Sequence, residues 1–451
     1  MRLPRCRRSG PILGPTVAVA IALVVALATM LGGTVTPAVG LAEEPDVFRT
    51  MLPNGLRAIV RERPGSGVVA ISVGIRGGSR DERRETVGAA HFMEHMFFQG
   101  TPRRPEAADL DREIEASGGW TNAWTGWESI NFQVVVPLDE FDLALDVISD
   151  QMVNSVFAPE KIDKERRVVL EELNGRLNSP VTKAYDLFWL EVFGEHPARN
   201  LPIGNRATID QSTRDVLVAF RDQFFVSGNM VVAVVGDVQH DRIFEQLGGA
   251  FADLRTGPAA SIPPAPVPPL VARSQTDASP GQQARVIAGG PTVGVNSPDR
   301  HVHDLIDAIL GESGRRLERE LVDNQGLASS AFPFFIALTD VGVWGISVGV
   351  RPADVDRALE LAKAELRTLR DTPVPDEELA EAKAYLRGQR VLHRERSIDL
   401  AEELSDGEAL GTYEPLAVYL GRIDAVTPAD IQRVTRTYLD PERLTVTILR
   451  P

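Results

Sequence analysis

Cysteine is almost missing from this chain: the only one is Cys6, so the sequence beyond it has no thiol for a disulfide or for nucleophilic catalysis. That scarcity suits an oxidising compartment. Aromatic residues are also few, at 6%, so a large core has to be built mainly from aliphatic side chains. Basic residues are outnumbered, 48 Lys and Arg against 63 Asp and Glu, for a formal net charge of −15. A surface of that sign repels phosphate backbones and excludes nucleic acid as a partner. The only long apolar run, residues 16–31, is short of the ~20 residues that a membrane-spanning helix usually needs. What remains is an ordinary globular composition, 43% hydrophobic and 25% charged over 451 residues, with chain enough for two domains.

The first residues differ from the rest. Arg2, Arg5, Arg7 and Arg8 precede the apolar run, and small residues then lead to Ala38-Val39-Gly40 or Gly40-Leu41-Ala42, where cleavage can fall. This is the layout of a secretory signal peptide over 1–42, and it predicts an exported protein, periplasmic or extracellular. The alternative is an uncleaved anchor, the one case in which the chain meets a membrane. Removing 1–42 takes away four arginines and no acid, moving the net charge from −15 to −19.

Further on, short β-type runs alternate with amphipathic helical stretches. Residues 48–60 read as a hairpin around Pro53-Asn54-Gly55, and 68–75 as a strand ending at Gly77-Gly78. Helical periods follow at 86–99 and 105–117, then a second hairpin over 120–136 and helices over 138–153 and 159–178. Residues 257–269 hold six prolines and no period, the composition of an extended linker. The second half repeats the style of the first, with two strands near 330–350. The two halves also close alike. Ser212-x-x-Asp215 opens a helix to Phe225 before the strand 230–235, and Thr427-x-x-Asp430 opens one to Tyr438 before 444–449. The pattern predicts an α+β chain of two homologous α/β domains, each a mostly antiparallel sheet with helices packed on it. Their bounds are 43–255 and 274–451, joined by a Pro-rich linker over 256–273.

Chemistry concentrates in the first half. On a helix at about 100° per residue, Val87, Ala90, His91, Glu94, His95 and Phe98 share one stripe. His91 and His95 point the same way, one turn apart, with Glu94 between them. Three ionisable groups on an apolar face cost several kcal/mol each if unpaired, and a divalent cation held by two neutral imidazoles resolves that cost. Zinc suits such ligands, and a hydrolytic zinc wants a third protein ligand beside an open position. The helix opened by Pro159 offers carboxylates for it. Ile162, Val169, Leu173 and Leu177 form its apolar stripe, with Glu165 and Glu172 together at one edge and Glu171 turned away. Either Glu172 is the ligand with Glu165 orienting a histidine behind it, or both are rim carboxylates paired with Arg166 or Lys161. A third feature is Trp120, Asn122 and Trp124 on one face of a strand. It reads either as an edge that binds an extended peptide through Asn122 or as aromatic core packing.

These segments resemble the pitrilysin-type peptidases, whose signature is H-x-x-E-H. The likeness rests on Gly77-Gly78-Ser79-Arg80-Asp81-Glu82, on Gly88-Ala89-Ala90-His91-Phe92-Met93-Glu94-His95-Met96-Phe97-Phe98-Gln99-Gly100-Thr101 and on Glu165-Arg166-Arg167-Val168-Val169-Leu170-Glu171-Glu172. It runs over roughly 46–451 and is more specific in the first half than in the second. The resemblance implies one zinc per chain on His91, His95 and Glu172, with Glu165 supporting from behind and Glu94 as general base. It also makes Gly119-Trp120-Thr121-Asn122-Ala123 the substrate-binding strand, with contacts from Asn122 and Ala123. Zinc acidifies water and polarises the scissile carbonyl, while Glu94 takes the water's proton and passes it to the leaving amine. The expected substrates are peptides or unfolded segments, cut inside a closed chamber. One departure stands out. The family holds substrate carbonyls with an arginine and a tyrosine from a second-half domain, and Val322 and Ser329 occupy those positions here. The chain is therefore expected to be the catalytic member of a heterodimer whose partner, a related subunit, carries that pair. The competing readings are a self-sufficient homodimer and a non-catalytic scaffold, which has no need of Glu94.

Overall fold

Among the described residues, eleven β-strands rich in Val and Ile assemble into two sheets. The computed structural model describes residues 44, 46–261, 263–278, 281–311 and 315–451, so the expected export segment 1–42 lies outside the described residues. The first sheet holds β1 (Val47–Met51), β2 (Arg57–Glu62), β3 (Val68–Arg76), β4 (Trp120–Thr125), β5 (Ser129–Pro137) and β6 (Met230–Gly236) in the order β1-β2-β6-β3-β5-β4. The second holds β7 (Arg273–Ala278), β8 (Ala284–Val293), β9 (Ala328–Ala337), β10 (Val341–Val350) and β11 (Thr445–Arg450) in the order β7-β11-β8-β10-β9. One pair in each sheet is parallel, β2 with β6 and β7 with β11, and all other pairings are antiparallel. The five strands β2 to β6 therefore repeat as β7 to β11 with the same order and the same directions. The α+β architecture of two mostly antiparallel sheets with helices packed on them is the one the sequence predicts.

Local chemistry explains most element ends. Asn54 holds the first hairpin by accepting the Leu56 N–H at 3.1 Å and donating to the Phe251 carbonyl at 2.8 Å. Pro159 opens the helix Pro159–Asn178 at its first position, where the missing N–H costs nothing. Thr427 caps the helix Pro428–Tyr438 with Asp430 completing a capping box, as expected. The corresponding cap in the first half is Thr213 rather than Ser212, since the Thr213 hydroxyl accepts the Val216 N–H at the start of Arg214–Phe224.

Both faces of the central strands are buried: every residue of β6 and of β10 is inside. Such strands need helices on both sides, and the two halves exchange them. The first-half helix Pro180–Phe193 lays Ala184, Phe188, Trp189 and Val192 against Ile287, Val341, Val343 and Leu449 of the second sheet. In return, Ser397–Leu410 lays Ile398, Leu400, Ala401 and Leu404 against Ile59, Ala70, Val231, Ala233 and Val235 of the first. Residues 44–451 accordingly form one compact unit. A buried polar ring fixes the seat of the second helix. Asn131 Nδ2 lies 3.2 Å from Ser405 Oγ, Ser405 Oγ 2.8 Å from Ser72 Oγ, and Ser72 Oγ 2.9 Å from Asn131 Oδ1. Beside it, a Cβ added at Gly74 would stand 2.9 Å from the Ser405 carbonyl carbon and oxygen, backbone that has no room to step aside. Gly74→Ala is therefore expected to destabilise the chain by about 1–3 kcal/mol, read as a lower urea midpoint. An unchanged midpoint would mean that the helix is not seated there.

Candidate metal centre

The helix Ala89–Phe97 begins at Gly88, whose φ of 98° lies in the left-handed region that favours glycine. Glu82 fixes the same end, its carboxylate accepting the Gly88 N–H at 2.8 Å and the Ala90 N–H at 2.5 Å. This capping starts the helix three residues later than the 86–99 periodicity predicts and leaves Val87 ahead of it. Phe92, Met93, Met96 and Phe97 are buried in the first core, which leaves His91, Glu94 and His95 on the half-buried side.

Opposite runs Pro159–Asn178, with Ile162, Glu165, Val169 and Leu173 buried. Leu177 is not part of that stripe. It is 48% exposed, because the last turn of the helix runs past the core. The cations that sequence alone leaves as partners for the two glutamates are engaged elsewhere. Lys161 donates to the Gln99 and Pro105 carbonyls, and Arg166 donates to those of Ile209 and Ser212.

Between the helices, three donor atoms converge. His91 Nε2 and His95 Nε2 are 3.3 Å apart, and Glu172 Oε2 lies 3.5 Å from the first and 3.4 Å from the second. Tetrahedral ligands at zinc's usual ~2.0–2.1 Å sit about 3.3–3.4 Å from one another, so this triangle has the size of one face of a zinc coordination shell. Among the described residues it is the only set of three or more His, Cys, Asp or Glu close enough to share a metal ion. Behind it, His95 Nδ1 is 3.2 Å from Glu165 Oε2, a contact that leaves the Nε2 lone pair pointing into the triangle. Glu172 is the open member, with 44% of its side chain exposed.

Burial, helped by the nearby His95 and Arg176 charges, lowers the His91 pKa to about 3, so its imidazole is neutral as a metal ligand must be. Burial also opposes protonation of His95, but the Glu165 hydrogen bond and the Glu172 and Glu94 charges outweigh it and raise that pKa. Burial raises Glu94, against the opposing effects of the Thr125 hydroxyl and of His95. Its carboxylate does not belong to the triangle. Glu94 Oε2 instead accepts the Thr125 hydroxyl at 2.5 Å.

Thr125 ends β4, the outer strand of the first sheet. The Gly126 N–H bonds to the Ser129 carbonyl, so positions 120, 122 and 124 face β5, and the peptide groups of Thr121, Ala123 and Thr125 turn to the open edge. Side chains alternate the other way. Ala123 packs on the core under the metal helix, whereas Asn122 is exposed on the opposite face with Trp120 and Trp124. Trp127, the third tryptophan of this stretch, is core packing, stacked on Trp189 at 4.1 Å.

Three of the remaining histidines have structural partners. His301 lies 3.0 Å from a Glu414 oxygen, His303 2.8 Å from the Thr292 hydroxyl, and His240 2.8 Å from Glu62. Sequence reasoning passed over Thr125 and Glu82. Strand alternation was the available signal for the first, because it sets Thr125 on the face opposite Asn122. Nothing in a single sequence marks the second as a cap.

Residues 57–186 match the family described as Insulinase (Peptidase family M16), and 211–386 match the Peptidase M16 inactive domain. An uncharacterized zinc protease of Streptomyces coelicolor is 30% identical over 403 residues, covering 87% of this chain and 87% of its own. A probable mitochondrial-processing peptidase subunit beta of Arabidopsis thaliana is 28% identical over 424 residues, 90% of this chain and 79% of its own. The crystal structure of a protease from Helicobacter pylori superposes with a TM-score of 0.84 at 26% identity, covering 90% of this chain and all of that one.

Proposed function

Because the chain belongs to the insulinase family of peptidases, family M16, we propose that it is a zinc-dependent endopeptidase that hydrolyses peptides or unfolded segments as the catalytic subunit of a heterodimer. The observation that carries this reading is the zinc-sized triangle of His91, His95 and Glu172 with a non-ligating carboxylate, Glu94, one residue from His95. Zinc bound there supplies Lewis acidity, polarising a peptide carbonyl and making water acidic near neutral pH.

The chain's own residues do the rest. His91 and His95 turn their Nε2 atoms toward the shared position, and Glu165 orients the second. Glu94 accepts the proton of the attacking water and delivers it to the leaving amine. An extended peptide pairs along the open edge of β4 through the outward peptide groups around Ala123, with Asn122 beside them. A scaffold role would leave the triangle and Glu94 without a purpose.

The partner is part of the proposal. A peptide must be held on both sides of the metal for its carbonyl to be presented correctly, and the second-half positions that would help have nothing to offer. Val322 is half-buried against the second core, and the Ser329 hydroxyl is taken by Gln283 at 3.1 Å and the Gly349 carbonyl at 3.2 Å. The isolated chain is expected to cleave a disordered peptide weakly, with kcat/KM rising at least about tenfold when a related subunit carrying an arginine–tyrosine pair is added. Full activity alone, unchanged by that subunit, would favour the homodimer.

A further inference from the structure

The hydroxyl of Thr125 makes the only hydrogen bond to the Glu94 carboxylate among the described residues. A glutamate carboxylate hangs on two staggered torsions and a broad terminal one, so a half-buried glutamate needs a partner to keep one orientation. An O–H donor at 2.5 Å from a carboxylate is of the short, charge-assisted kind that can hold it. The donor is itself restrained. Threonine is stiff at χ1, and Thr125 sits in register opposite Ile130 of β5. The same residue turns its own N–H and carbonyl toward the free edge of the sheet.

We propose that Thr125 is a positioning residue: its hydroxyl aims the Glu94 carboxylate for proton transfer, so the strand that docks an extended peptide also sets the base. This rests on the peptidase reading above. The two functions meet at one residue, with the side chain on the metal-helix face and the backbone at the open edge. A peptide paired as far as Thr125 would therefore tighten the element that carries the donor. Peptides too short to reach that position should lose kcat more than KM.

The test compares Thr125→Val, which keeps the shape and removes the donor, with Thr125→Ser, which keeps the donor. Both are measured as the full zinc-loaded chain with its partner subunit on a disordered peptide. Thr125→Val should lower kcat roughly 10- to 100-fold with KM within about twofold, and zinc content and unfolding midpoint should match the wild type. Thr125→Ser should keep kcat within a few-fold. Wild-type kcat in Thr125→Val, or equal losses in both variants, would overturn the proposal. A crystal structure of Thr125→Val provides a readout independent of turnover. The Glu94 carboxylate should leave its wild-type rotamer or spread over several, and an unmoved carboxylate would overturn the proposal. If the wild type cleaves no peptide at all, the peptidase reading falls, and the crystal structure still decides whether Thr125 holds Glu94.

Discussion

His91→Ala is expected to strip the chain of its zinc. The proposed site has three protein ligands, and the two imidazole nitrogens form one edge of the triangle, 3.3 Å long. Removing one leaves a single histidine and a carboxylate that is 44% exposed, a pair that water competes with easily. The loss should exceed that of Glu165→Gln, where His95 keeps its place but loses a charged acceptor. Supporting carboxylates of that kind are typically worth about 10- to 100-fold in metal affinity. Metal analysis after dialysis against a weak chelator separates the cases: one zinc per chain in the wild type, a reduced content in Glu165→Gln and none in His91→Ala. Wild-type zinc in His91→Ala would remove the triangle from the account.

Glu94→Gln should act in the opposite way, keeping the metal and losing the chemistry. Glutamine has the same shape and can still lie against Thr125, with its amide oxygen accepting the hydroxyl. It cannot take a proton from water, and a missing general base costs about 10²–10⁴-fold. Zinc content and unfolding midpoint should stay at wild-type values while kcat falls by at least about 10²-fold. Activity within a few-fold of wild type would mean that another group is the base.

Much of this was legible in the residues. The helix Pro159–Asn178 falls where Pro159 and the stripe of Ile162, Val169 and Leu173 put it; helical phase set His91 beside His95 and left Glu172 either a ligand or a rim carboxylate, and the structure brings the three together. The errors have local causes. Ser212 and Thr213 are adjacent hydroxyl residues, either able to cap, and only tertiary packing selects the second. Leu177 continues an apolar period, but a period does not say where the neighbouring core stops. The exchange of Pro180–Phe193 and Ser397–Leu410 between the halves was beyond reach for a different reason. Each helix covers a sheet built from distant sequence, so no local pattern names its partner. The Arg80 clamp is similar: its guanidinium binds Glu128 of the first half and, through two bonds of 2.9 Å, Asp340 in the turn between β9 and β10. Thr125 was missed because the amide and two indoles of Trp120, Asn122 and Trp124 drew attention to the other face of the same strand.

The central claim is that zinc held by His91, His95 and Glu172 makes this chain cut peptides. The most direct measurement strips the metal, returns zinc stepwise in the presence of the pair-bearing subunit, and follows cleavage of a disordered polypeptide. Cleavage should be absent in the stripped protein and rise to a plateau at one zinc per chain, with the same titration of His91→Ala staying flat. Cleavage that survives stripping, or a wild-type chain that fills with zinc and still cuts nothing, would contradict the account.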